Sequence, residues 1–227
     1  MLQGNRAKLL YNPALRELVA DKRKWSKATV QAGKQRFSSW NERGFLPHRD
    51  EPGLTQFVTF RVADSFPSAL RSEWEGMLKV EDAVEKRRLL ENYLDKGRGE
   101  CLLRRAEFAT IIENSVRFFH GERYELDSWV VMPNHVHVLF TPKDHPMSQI
   151  IESWKKFTAH EVNRRTERNG KLWFNDYWDT YMRDERHVLR TRRYIEANPV
   201  KAFLVREAKD WPWSSARFRD TFGRLVF

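Results

Sequence analysis

An α+β fold is predicted: an antiparallel sheet of ferredoxin-like type with helices on one face. Three observations predict it. Four short segments are rich in β-branched and aromatic residues. Segments with helical spacing lie between them. Two of the β segments are separated only by Pro133-Asn134, which makes them neighbours in a hairpin.

The elements follow in order. Residues 1–50 show no sustained period and read as an arm with one short helix around Pro13–Lys24. Pro52-Gly53 marks a boundary. Thr55–Val62 is the first strand. Ser68 can cap a helix to about Lys79, and Glu81–Lys96 is a second helix that Gly97 stops. Glu107–His120 sets Phe108, Ile111, Ile112, Val116 and Phe119 on one helical face, and Gly121 ends it. Tyr124–Met132 and His135–Thr141 are the hairpin strands. Ser148 opens a long helix to about Thr166, with Ile150, Ile151, Trp154 and Phe157 along one side. Leu172–Asp184 contains a fourth, aromatic strand. Glu185–Ala197 is the last long helix, and Pro199 is expected to stop it.

Composition excludes whole classes of function. With 227 residues the chain can bury a core without disulfides, and its single cysteine, Cys101, cannot form an internal one. That fits a reducing compartment. Cys101 reads as structural. No run of eighteen apolar residues is present and no apolar stretch follows Met1, so neither a membrane span nor a signal peptide is expected.

The net charge of +10 is uneven: +7 over residues 1–50, −3 over 51–145 and +6 over 146–227. Aromatics lie among the basic residues, with Trp25 and Trp40 in the head and Trp154, Trp173, Trp178, Trp211 and Trp213 in the tail third. Basic residues interleaved with aromatics suit single-stranded nucleic acid, where phosphates pair and bases stack. Core packing is the plainer reading of the tryptophans.

Two segments carry candidate chemistry. In Val130–Phe140, strand alternation turns His135 and His137 to one face and Val136, Val138 and Phe140 to the other. Two imidazoles on one face, two residues apart, can share a divalent ion. The same pair fits two partly exposed strand histidines. A histidine-triad hydrolase would want a histidine where Leu139 stands, and a metallo-β-lactamase-type site would want an acidic residue and a further histidine soon after. In the second segment, Arg192–Val200, Tyr194 and Asn198 are four apart and share a helix face. An amphipathic helix with an Asn cap before proline accounts for these residues equally well when they are taken alone.

Taken together, Met132–Phe140 followed by Arg193–Val200 resembles the HUH single-tyrosine transposases of bacterial insertion sequences, in their REP-associated branch. The resemblance runs from about Pro47 to Arg217. It includes Leu54–Arg61, Trp154–His160, Leu172–Asp184, Tyr194–Val205 and Trp211-Pro212-Trp213-Ser214-Ser215. Residues 1–46 are outside it. It divides the chain into a basic arm (1–50), a catalytic domain (51–205) and a C-terminal tail (206–227).

The resemblance implies that His135 and His137 are metal ligands, that Asn198 is the third ligand, and that Tyr194 is the nucleophile. The metal would be Mg²⁺ or Mn²⁺. The implied partner is single-stranded DNA beside an imperfect palindromic hairpin, with Lys155, Lys156, Arg164, Arg165, Arg192 and Arg193 as candidate backbone contacts. The implied product is a 5′-phosphotyrosine link and a free 3′-OH, in a bacterial cytoplasmic, nucleoid-associated protein. A monomer is favoured over a dimer, and no membrane is involved. The alternative function is a domesticated hairpin-binding protein without turnover.

Overall fold

The computed structural model describes residues 41–43, 46–48, 51–66, 69 and 71–226. The helix expected around Pro13–Lys24 and the cap expected at Ser68 lie outside them. The described elements are β1 (Asn41–Arg43), β2 (Leu46–His48), β3 (Gln56–Arg61), α1 (Arg71–Leu78), α2 (Ala83–Asp95), α3 (Ala106–Phe118), β4 (Tyr124–Val131), β5 (His135–Pro142), α4 (Met147–Thr166), β6 (Trp178–Tyr181) and α5 (Glu185–Lys201). Strands β1 and β2 pair antiparallel within the region read as an irregular arm. At three residues each, they are too short to show an alternation.

The main sheet has the order β4-β5-β3-β6, and every neighbouring pair is antiparallel. The predicted fold class therefore holds. The helices, however, are not confined to one face. Val58 and Phe60 of β3, Trp129 and Val131 of β4, and Val136, Val138 and Phe140 of β5 join one core, with Phe108, Ile112 and Val116 of α3 and Ile150, Ile151 and Trp154 of α4. The alternate residues Phe57, Val130 and Leu139 join a second cluster with Ile195 of α5 and Trp211. Strands apolar on both faces need cover on both, and α5 supplies the second layer.

Polar atoms inside the first core are satisfied. The Tyr124 hydroxyl donates to Val116 O at 2.7 Å and accepts from Trp154 Nε1 at 3.0 Å, and Trp173 Nε1 donates to Thr158 Oγ1 at 2.9 Å. Trp154, Trp173 and Trp211 are buried and thus core residues rather than platforms for bases. Cys101 is buried too, with its thiol donating to Gly97 O at 2.9 Å. No helix among the described residues is long and apolar enough to cross a membrane.

Several helix ends follow local chemistry. Gly97 and Gly121, both read as stops, take φ of +62° and +80°. Asp82 and Asp184 cap α2 and α5 by accepting from the N–H of Glu85 and His187, each at 2.7 Å. Pro199 does not stop α5, which runs on to Lys201. A proline this close to the end forfeits one backbone hydrogen bond, and the last turn is closed by Ala202 N donating to Asn198 O at 2.9 Å.

The stretch read as a tail is packed into the domain. Val131 N donates to Trp213 O at 2.9 Å, Trp211 Nε1 donates to Val131 O at 2.9 Å, and Ser214 bridges Val130. These contacts extend the sheet beyond β4.

Candidate active site

Strand alternation brings His135 and His137 onto the sheet face that α5 covers, and both are fully buried. Their Nε2 atoms stand 3.1 Å apart. Each ring is held by its other nitrogen. His137 Nδ1 is 2.7 Å from Thr59 Oγ1, its direct partner across the β3–β5 pair. His135 Nδ1 is 2.8 Å from Asn134 Oδ1.

The Asn134 amide is itself fixed, its Nδ2 donating to Leu94 O at 3.3 Å and Arg98 O at 3.1 Å just beyond α2. That leaves its oxygen to accept from His135, so the proton of His135 sits on Nδ1 and its Nε2 offers a lone pair. Burial pushes the His135 pKa down to about 4; Asp95 opposes this and Lys201 adds to it. The ring is neutral at neutral pH, as a metal ligand must be.

Helix α5 delivers the other two residues. Tyr194 is half-buried; its ring centroid is 5.5 Å from that of His137 and 6.1 Å from that of Phe57, edge-on to the latter. One turn on, Asn198 is fully buried. Neither side-chain oxygen nor nitrogen of Asn198 has a hydrogen-bond partner among the described residues. Lys201, three residues further, has its Nζ 5.7 Å from the Tyr194 ring and 2.7 Å from Asp95 Oδ2 at the end of α2. Asn198 thus lies on the helix between Tyr194, whose ring stands beside His137, and Lys201, whose charge acts on His135.

The donor set fits a divalent ion. Two ligands at right angles, each about 2.1 Å from an octahedral ion, stand roughly 3.0 Å apart, against the observed 3.1 Å. The unpartnered Asn198 amide offers an oxygen of the hard type that Mg²⁺ and Mn²⁺ take. No group of three His, Cys, Asp or Glu that could hold a metal occurs among the described residues.

Polar clamps on either side of Tyr194 set the register of α5. The β4–β5 pairing slips between Leu126 and Ser128, so Asp127 falls in a bulge. Arg192 grips that carboxylate in bidentate fashion, with Nε donating to Oδ1 at 2.8 Å. Two residues after Tyr194, Glu196 accepts from Arg219 Nε at 2.8 Å and from Ser215 Oγ at 2.7 Å. The packed tail therefore helps hold the tyrosine helix.

Sequence reasoning missed Thr59, Asn134 and Arg61. Arg61 stands opposite His135 across the strand pair and is buried, its Cζ 3.7 Å from the centroid of the Phe174 ring. Burial lowers its pKa to about 9, with Tyr93 and Asp176 opposing. The signal was available: pairing His135–Thr141 with Thr55–Val62 puts alternate residues of the first strand on the histidine face.

The six basic candidates separate. Lys155 donates to Phe174 O at 2.7 Å and Asn175 O at 2.8 Å, and burial lowers its pKa to about 8. Arg192 is the clamp just described. Arg165 and Arg164 both pair with Glu161, and Lys156 pairs with Glu152 at 3.1 Å. Lys156, Arg164 and Arg193 are exposed.

Comparison with known proteins adds a sequence relationship. Residues 104–198 match the family model described as "Transposase IS200 like". The matched stretch takes in both histidines, Tyr194 and Asn198. A REP-associated tyrosine transposase of Escherichia coli (strain K12) is 30% identical over 94 residues, which cover 40% of this chain and 54% of that protein. A Haemophilus influenzae relative of the same type is 26% identical over 103 residues, covering 40% of this chain and 58% of that protein. The chain thus spans little more than half the length of the curated relatives it matches. A solved structure of a REP-associated tyrosine transposase bound to a REP hairpin aligns over 78% of this chain and 84% of its own, at 19% identity and a TM-score of 0.49.

Proposed function

From a chain whose residues 104–198 carry the IS200-like transposase domain, we infer a metal-dependent single-stranded DNA endonuclease and strand transferase that works through Tyr194. The observation that carries this reading is two buried imidazoles with Nε2 atoms 3.1 Å apart, a tyrosine ring on the covering helix 5.5 Å from one of them, and, one turn on along that helix, a buried amide without a partner among the described residues. The proposed substrate is DNA beside a palindromic hairpin, in keeping with the REP-associated relatives.

A phosphodiester resists nucleophiles because its oxygens are anionic. Mg²⁺ or Mn²⁺, held by His135, His137 and Asn198, would neutralise part of that charge and orient the phosphorus. The protein residues do the rest. Thr59 and Asn134 lock the two rings so that both Nε2 atoms face the same point. The Arg192–Asp127 and Glu196–Arg219 clamps fix α5 and hold the phenol beside the histidines. Lys201, tied to Asp95, sets a positive charge next to the phenol.

In the proposed step the Tyr194 oxygen attacks phosphorus in line and the P–O3′ bond breaks. A 5′-phosphotyrosine bond forms, and the phenol proton ends on the leaving 3′-oxygen, directly or through solvent. The link retains the energy of the broken bond, so a second 3′-OH reverses the step and joins strands without ATP.

The test is a labelled hairpin oligonucleotide with a single-stranded flank, incubated with Mn²⁺ and then with EDTA as control. Metal-dependent cleavage that disappears in Tyr194→Phe supports the reading. Cleavage that survives in Tyr194→Phe points to a different hydrolase. Tight binding without cleavage points to a hairpin-binding protein that has lost turnover.

A further inference from the structure

We propose that Phe203 is a stacking post for an unpaired base of the DNA strand whose backbone lies at Tyr194; this rests on the reading above. Its backbone and its exposure are both unusual. Helix α5 ends in a Schellman arrangement: Phe203 N donates to Val200 O at 3.0 Å and Leu204 N to Pro199 O at 2.9 Å. That motif needs a left-handed residue just past the cap, normally glycine. Phe203 fills it at φ +57°. A bulky side chain in the left-handed region carries strain, and such strain concentrates at binding sites.

The strain gains no packing. Phe203 is 95% exposed, the most exposed large apolar side chain among the described residues. Its neighbours behave in the opposite way: Ala202, Leu204 and Val205 pack against the cluster that holds Phe57, Leu139, Ile195 and Tyr194. The ring thus projects from the rim of that cluster. Two residues earlier stands Lys201, whose Nζ is 5.7 Å from the Tyr194 ring, and Arg206 is exposed three residues later.

A bare aromatic ring flanked in sequence by basic residues, Lys201 before it and Arg206 after it, is the pattern that single-stranded nucleic acid uses: phosphates meet charge and a base covers the ring. Lys201 is paired with Asp95, so Arg206, exposed on the other side of the ring in sequence, is the cation offered to a phosphate. Stacking tolerates any base, so Phe203 would hold the strand in place without reading its sequence.

Opposed effects of one substitution test the proposal. Phe203→Gly relieves the backbone, and melting should rise by about 2–6 °C in the DNA-free protein. The same variant should bind a hairpin oligonucleotide with a single-stranded flank more weakly, by roughly 5- to 150-fold. Phe203→Trp should bind as the wild type, and Phe203→Leu as weakly as the glycine variant. A series of flanks, each with one abasic position, locates the base: at that position wild type and Phe203→Gly should bind equally. The proposal is overturned if Phe203→Gly binds every oligonucleotide as tightly as the wild type, if Phe203→Leu does, or if no abasic position removes the difference. If the wild type forms its Tyr194 adduct while these variants change nothing, only the stacking role falls. If the wild type binds none of the oligonucleotides, the proposed function falls with it.

Discussion

Asn198→Leu separates stability from function at the centre of the proposed site. In the metal-free protein the Asn198 amide is fully buried with two polar atoms unpartnered among the described residues. Leaving a buried polar group unsatisfied costs about 1–3 kcal/mol. Leucine branches at the same carbon, needs no partner, and is the better helix former by roughly 0.5 kcal/mol. A net gain of about 2 kcal/mol is therefore expected, which for a chain of this size raises Tm by ~4–8 °C. Manganese should act in the opposite sense. A ligand at a hundred times its Kd stabilises the native state by about 2.7 kcal/mol. The wild type should show that rise, and the leucine variant, with two donors left, should lose most of it together with DNA cleavage. Differential scanning fluorimetry with and without MnCl₂ reads both effects. The reasoning is refuted if Asn198→Leu melts below the wild type without metal, or if both proteins gain the same shift with it.

Other predictions concern the groups around the site. Thr59→Val keeps the shape of a buried strand residue but removes the hydroxyl 2.7 Å from His137 Nδ1; manganese affinity measured by calorimetry should drop by about 10- to 100-fold, and an unchanged Kd would deny Thr59 its orienting role. His135 titrates at about 4 when native, against roughly 6.5 when unfolded. Between those values only the unfolded chain holds the proton. Its contribution is therefore complete above pH 6.5 and is lost as pH falls toward 4, by about 3 kcal/mol. Metal-free denaturant curves at pH 7 and 4.5 should show this loss, and His135→Gln should shrink it; equal losses in both proteins would count against the assignment. Arg192→Met releases the clamp on Asp127 while keeping apolar length, so the cleavage rate should fall more than tenfold at unchanged hairpin affinity. If affinity falls and the rate holds, Arg192 is a DNA contact instead.

Much of this site could be read from the amino-acid order, because its key relations are local. Two residues apart on a strand share a face, and four apart on a helix share a face, so His135 with His137 and Tyr194 with Asn198 were paired before any tertiary contact was known. Relations that cross the chain become legible only once the pairing of the strands is known. Thr59 meets His137 only through the β3–β5 register. Asn134 looks like a turn residue, yet its side chain is buried by bonds to Leu94 and Arg98. Arg192 looks like a phosphate ligand until the bulge at Asp127 claims it. Pro199 reads as a stop because local rules say so, but Ile195 packs into the second cluster and Asn198 and Pro199 are buried, and α5 runs past the proline. The second covered face went unseen because apolar residues at both parities of β4 and β5 blur the alternation that would reveal it.

The central claim is that Tyr194 becomes joined to DNA. Mass spectrometry of tryptic peptides after reaction with a hairpin oligonucleotide and Mn²⁺ tests it directly. The account predicts a nucleotide adduct on the peptide containing Tyr194, formed only with metal and absent from His137→Ala and Asn198→Leu. Strand cleavage with an unmodified Tyr194 peptide, or an adduct on another residue, would contradict it.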